Sequence, residues 1–177
     1  MSTSNLKAIT SPHQLLDYYL QMLHNAKVSQ IKMFANWASV PYDQLFRTFL
    51  VEQQQVVLQQ YDSLKSLEGV FNVLFPGGVC RPVNCLLHEA DQVAQLSGSD
   101  IGLAEPLLMQ LVQCIKQYEI TTARSAITLA YSIKEQKIAN MLATISLEDS
   151  EAFLQLQNLL NTYWRSTEPV YSTEIEA

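Results

Sequence analysis

Positive charge is in short supply in this chain: 11 Lys and Arg stand against 17 Asp and Glu, for a net charge of −6. Surfaces that neutralise phosphates or sit on anionic lipid need clustered Lys and Arg, so neither nucleic acid nor a membrane surface is expected as a partner. Apolar runs are short as well. The opening "MSTSNLKAIT" has no apolar core of the kind an export signal carries, and no stretch approaches the roughly eighteen apolar residues needed to span a bilayer. The expected compartment is therefore the cytoplasm. Only three cysteines are present, Cys80, Cys85 and Cys114, an odd set that makes a disulfide framework improbable. "CRPVNC" is neither a zinc-ribbon nor a thioredoxin-type CxxC, and the three thiols read as reduced, buried small hydrophobes. Sequence signatures of catalysis are missing too. There is no Gly-rich phosphate loop, no Ser beside a plausible base and no CxxCH, and "HEADQ" lacks the second histidine of a zincin helix. These absences lean away from an enzyme.

What is present is a single chain of 177 residues, 48% hydrophobic and 16% charged, enough for one globular unit with a real core. Strand signals are absent, and long stretches of helical period are separated by clear punctuation. "SPHQ" opens the first, with Ser11 as N-cap and Pro12 at the first helical position, and it runs to about Trp37. "SVPYDQ" opens the second, which continues to about Leu64 before "FPGGVCRP" breaks the chain. A short amphipathic piece, "VNCLLHEADQVAQL", and "SGSDIG" lead to the third long helix, from about Glu105 to Tyr131 with Pro106 in its first turn. The fourth runs from about Lys134 to Trp164 without Pro or Gly. The expected organisation is a flexible N-terminus over 1–10, an all-α four-helix bundle over 11–165 and a flexible acidic tail over 166–177. The long crossover, containing a short helix, falls between the second and third long helices, so those two should run parallel.

Alternating three- and four-residue steps give the core row of each helix. The rows read Tyr19, Leu23, Ala26, Gln30, Met33, Trp37; then Leu45, Phe49, Glu52, Val56; then Leu108, Val112, Ile115, Glu119, Thr122, Ala126, Leu129; and Ile138, Met141, Ile145, Glu148, Ala152. Gln30, Glu52, Glu119 and Glu148 interrupt the four rows near mid-length, and their distances from the two hairpin turns bring each pair to about one level. "LVEQQQ" and "SLEDSE" form an internal echo, each with a polar residue three after its glutamate, Gln55 and Glu151. In a four-helix bundle this is the layout of a carboxylate-bridged dinuclear metal site, with Glu52, Glu119, Glu148 and Glu151 as candidate ligands.

Residues in the crossover and on the third long helix resemble the ferritin-like proteins of the YciE/YciF type. Cys80, Leu86, Leu87 and Glu89 match a Cys-x-x-Met-x-x-Leu-Ile-Glu-Glu stretch; Tyr118, Glu119 and Ile120 match the end of a Val-Glu-His-Tyr-Glu-Ile signature. The resemblance covers about Pro12 to Leu160 and implies a ferritin-like four-helix bundle associated with stress responses. The chain departs from the family where a metal would be held. Gln30 stands for an acid, Lys116 for the first Glu of the signature, and Phe49 for a histidine of the second long helix.

Iron or manganese in such a bundle needs several anionic oxygens and an imidazole or two, and His13, His24 and His88 lie off the central level. Gln30 offers only a neutral carbonyl, and Lys116 brings positive charge where a cation would sit. The preferred reading is a degenerate site: a polar core layer of Gln30, Glu52, Lys116, Glu119 and Glu148 in which Lys116 and shared protons take over from the metal. The alternative is an iron- or manganese-binding oxidoreductase or metal-storage protein. Leu15, Leu16, Leu20, Phe34, Phe46 and Leu50 flank the core rows of the first two helices, and such a broad apolar face predicts a homodimer.

Overall fold

The computed structural model describes residues 9–40, 42–68, 79–96 and 101–167; most of the expected terminal segments, the "FPGG" break and most of "SGSDIG" lie outside them. Five helices account for nearly all of the described chain: α1 Pro12–Ala38, α2 Gln44–Lys65, α3 Arg81–Ala94, α4 Ile101–Ser132 and α5 Gln136–Thr167. No helix of the described residues is long and apolar enough to cross a membrane.

Local chemistry sets the ends. Ser11 accepts the Gln14 N–H at 3.2 Å, and the Gln14 amide oxygen reaches back to the Thr10 N–H at 2.8 Å, a reciprocal cap on the first turn. Asp43 caps α2 through the Leu45 N–H at 2.8 Å. Helix α4 starts at Ile101, a turn earlier than Pro106 suggests. So near a helix start the missing proline N–H removes only one backbone bond, and the ring is tolerated in the second turn. At the other end of α4, Lys134 adopts φ 67°, the Lys134 N–H bonds the Tyr131 carbonyl at 3.2 Å, and the Glu135 N–H bonds the Ala130 carbonyl at 2.8 Å. These two bonds are a Schellman motif with lysine where glycine is usual.

The four long helices form the bundle, with α3 packed on α4 and α1. His24 of α1 faces Tyr61 of α2 at 5.0 Å between ring centroids, so the first hairpin is antiparallel. The Asp43 N–H, at the start of α2, donates to the Glu105 carboxylate near the start of α4 at 2.8 Å, so α2 and α4 run parallel, as the long crossover requires. Ser29 Oγ donates to Asn84 Oδ1 at 2.9 Å, tying α3 to α1.

The apolar core is split in two. One cluster, at the α1–α2 turn, includes Phe34, Trp37, Phe46, Phe49, Leu108 and Leu156 and takes in Val83 and Leu87 of α3. The other, at the opposite end, is built of Leu16, Leu20, Leu23, Leu64, Ala126, Ile138 and Leu142. Leu16, Leu20, Phe34, Phe46 and Leu50, expected on an outer apolar face, are core residues, and Leu15 is half-buried. That face is therefore consumed inside the bundle. Of the thiols only Cys80 is buried; Cys85 and Cys114 are exposed, because they fall on the outward sides of α3 and α4.

The two hairpins repeat. A sequence shift of 89 residues lays α1 along 101–127 of α4 and α2 along 133–154, mostly in α5, and eight of the nine buried residues of α1 fall on buried positions of α4. Five of the seven buried residues of α2 likewise fall on buried positions of α5. The echo that pairs Glu52 with Glu148 is out of this register by two turns; under the observed offset Glu52 corresponds to Met141.

Candidate functional site

Between the two apolar clusters lies a charged layer. Lys27 of α1, Lys116 and Glu119 of α4 and Asp149 of α5 each have 0% exposure. Lys27 Nζ is 2.8 Å from Glu119 Oε1 and 2.9 Å from Asp149 Oδ2. Lys116 Nζ is 2.8 Å from Asp149 Oδ1 and 3.6 Å from Glu119 Oε2. Each carboxylate thus faces both ammonium groups, and the four charges alternate around a closed ring of zero net charge.

Two amides complete the layer. Gln30 donates to Glu119 Oε1 at 2.7 Å and to the Ala26 carbonyl at 3.2 Å. Gln60 donates to Glu148 Oε2 at 2.9 Å and to Asp149 Oδ1 at 3.4 Å. Since both nitrogens face only acceptors, the amide orientations are fixed by their surroundings. The Oε1 atoms of Gln30 and Gln60 and Glu119 Oε2 are buried without a hydrogen bond among the described residues. The Lys116 ammonium also lies 5.9 Å from the centroid of the Phe34 ring.

The internal repeat passes through this layer. Lys27, Gln30 and Gln60 correspond at the offset of 89 to Lys116, Glu119 and Asp149. Gln30 touches Glu119 and Gln60 touches Asp149, so equivalent positions meet each other, and because α1 and α4 are antiparallel this is the arrangement of a local two-fold relation. The layer is the centre of the pseudosymmetric bundle.

Burial alone would push the Asp149 carboxyl up, but the adjacent Lys116 and Lys27 outweigh it and hold the group below the usual carboxylate range. Burial alone would push the Lys27 ammonium down; Asp149 and Glu119 reverse that and raise it. Both groups are kept charged. At the turn end, Glu105 is raised by burial despite the Asp43 N–H bond, and Tyr42 is pushed up to about 12 by burial and by Glu105. The Cys80 thiol and the Tyr118 hydroxyl are hydrogen-bonded to one another, and burial raises both.

Among the residues singled out in the sequence, Gln30, Lys116 and Glu119 meet in the layer, and Glu148 is half-buried at its edge, bonded to Gln60. Glu52 and Glu151 are exposed, so their expected placement in the core is corrected. Helix α2 is turned by one residue relative to the expected row: Phe46, Phe49, Leu50, Gln53, Val57, Gln60 and Leu64 point inward. Burying the Gln53 amide costs less than burying the neighbouring Glu52 carboxylate, since the buried ammonium groups among the described residues, Lys27 and Lys116, are paired with Glu119 and Asp149. Phe49, matched to a histidine by resemblance, lies about 16 Å along α2 from Gln60 and packs in the aromatic cluster instead. His13 and His88 are exposed, and His24 is buried against Tyr61.

Lys27 and Asp149 were not on the expected rows, where Ala26 and Glu148 stood in their places. The signal for both is their pairing. Lysine and aspartate are almost never fully buried alone, and Lys27–Lys116 and Gln60–Asp149 recur at one offset that the sequence carries. With Lys27 present, the two carboxylates are balanced by two ammonium groups, and shared protons are not required.

The layer does not fit a dinuclear metal centre. Of its six residues only two are anionic and none is an imidazole, and both carboxylates are already engaged by ammonium nitrogens at 2.8–2.9 Å. A divalent ion between them would displace an ammonium or sit against it. Among the described residues no group of three His, Cys, Asp or Glu side chains is placed to hold a metal.

The class these features define is an all-α, ferritin-like bundle of two antiparallel hairpins joined by a crossover helix. Its fold is that of the E. coli stress protein YciF, with a TM-score of 0.81, 16% identity, and coverage of 89% of this chain and 99% of that one. YcfI of Rhodopseudomonas palustris shares it, with a TM-score of 0.77, 18% identity, and coverage of 86% and 96%. The likeness is one of fold. No protein-family model and no curated protein matches the chain.

Proposed function

We propose that this chain is a non-enzymatic, stress-associated, self-associating bundle protein of the cytoplasm, in which the place of a dinuclear metal centre is taken by a lysine–carboxylate layer. The observation that carries the reading is the closed ring of Lys27, Glu119, Lys116 and Asp149, buried to 0% exposure at the meeting of the two hairpins. A catalytic centre needs room for a substrate and a reactive group out of balance with its surroundings; this ring is closed, charge-neutral and covered on both sides by apolar residues. The stress association rests on the shared fold with YciF. For self-association the support is a smaller surface than the sequence suggested: Val28 on α1 with Val51 and Leu58 on α2 are exposed, and helical spacing puts them along the outer seam of the first hairpin.

The deciding experiment is elemental analysis of protein purified without chelator, together with sedimentation at micromolar concentration. Metal-free protein that melts at the same temperature with and without EDTA and sediments as a homodimer is the expected result. Stoichiometric iron or manganese would establish the oxidoreductase or storage reading instead, and a monomer would remove the self-association.

A further inference from the structure

We infer that the layer is a cation-binding site whose ligands are supplied by the chain itself: the Lys27 and Lys116 ammonium groups occupy the two positions between Glu119 and Asp149 that a pair of bridged cations would fill. The inference rests on the reading above that the layer replaces a metal centre, and adds what kind of ligand the layer selects.

Three observations carry it. Each carboxylate lies between both ammonium groups, as a bridging carboxylate lies between two metal ions; the four contacts span 2.8–3.6 Å. The two lysines are equivalent positions of the internal repeat, as are Gln30 and Glu119 and Gln60 and Asp149, so the two halves deliver one ammonium group each to the layer. Finally, the polar atoms of the layer that make no hydrogen bond among the described residues are all acceptors: Gln30 Oε1, Gln60 Oε1 and Glu119 Oε2, the last within 3.6 Å of the Lys116 ammonium. A buried layer with surplus acceptors and no surplus carboxylate selects small cationic donors, and a primary ammonium is one that a four-carbon stem can deliver.

Lys116 is the position to vary, because its ammonium has one short carboxylate contact where Lys27 has two. Replacing Lys116 by Ala deletes a propylammonium group and leaves Asp149 and Glu119 facing the vacated space. The melting temperature of Lys116→Ala should fall and should regain more than half of the loss in n-propylammonium chloride, since a ligand of the folded state raises stability with its excess over Kd. 1-Propanol, similar in shape but uncharged, should restore nothing, and the wild-type protein should respond to neither. If Lys116→Ala is unfolded, the same additions are followed by circular dichroism, with n-propylammonium restoring the helix signal and 1-propanol failing to. A second variant, Lys116→Met with Asp149→Asn, removes a cation and its anion together and should fold and ignore n-propylammonium. The inference is overturned if n-propylammonium neither stabilises nor refolds Lys116→Ala, if 1-propanol does so equally, or if the double variant responds as Lys116→Ala does. Such a failure is separate from the finding of metal in the wild-type protein, which bears on the proposed function alone.

Discussion

The first hairpin gives the buried layer Lys27, Gln30 and Gln60; the second, 89 residues on, gives it Lys116, Glu119 and Asp149. Backbone, burial and the lysine are common to both halves, and only the charge of two side chains separates them. Four acids would leave two surplus negative charges in a region with no access to water. Four amides would leave two ammonium groups unpaired. Two acids and two amides bring the layer to neutrality, and setting one amide against one acid at each touching pair, Gln30–Glu119 and Gln60–Asp149, keeps two carboxylates from meeting, so electrostatics breaks the symmetry of the frame.

The comparison breaks most severely if the acid half loses an acid. Asp149→Ala strands two buried ammonium groups beside one carboxylate and is expected to cost about 3–5 kcal/mol in urea unfolding. The wild-type pH profile reports the same residue. Because its folded pKa is depressed, Asp149 contributes stability that is present above the unfolded value of 3.8 and is lost as pH falls through the lower folded value. The Lys27 contribution has the opposite sense: its folded pKa is raised, so it is present below 10.5 and lost as pH climbs through the folded value. Stability from the ring should therefore be level across the neutral range and decline at both extremes.

Making the halves alike is the next largest perturbation. Gln30→Glu sets a third carboxylate against Glu119 where an amide now donates at 2.7 Å, so one of the two must hold a proton. We expect a loss of about 1–3 kcal/mol at neutral pH that shrinks as pH is lowered toward 5, because the folded state then binds a proton that the unfolded state does not. A variant as stable as wild type at pH 7 would show that neutrality is not what separates the halves.

The turns differ too, and the effect is smaller. The tight α4–α5 turn places Lys134 at φ 67°, a conformation that glycine adopts without steric cost. Lys134→Gly should stabilise by about 1 kcal/mol in the same assay. Smallest of all, Glu52→Gln should stay within about 0.5 kcal/mol of wild type, since Glu52 is exposed on α2.

The helices, their order and the parallel α2–α4 pair were legible in the sequence, because caps, punctuation and a 3.6-residue period are local and strong. The rotation of α2 was not. Leu45 and Val56 fit an inward row as well as Phe46 and Val57 do, and "EQQQ" presents similar shapes on adjacent positions, so only the tertiary cost of burying a carboxylate decides between them. Lys27 and Asp149 escaped for the converse reason: each is an implausible core residue alone, and their partners lie on other helices. Reading the two lysines together, at equal places in two repeats, makes the pair visible.

With both cations carried on side chains, the layer reaches charge balance without a bound ion. On the proposed reading, ion and ligand emerge from synthesis in fixed ratio, and the layer itself calls for no loading step and offers no seat to a competing metal. Neither iron starvation nor oxidants that strip or cycle a bound metal would reach Lys27 or Lys116.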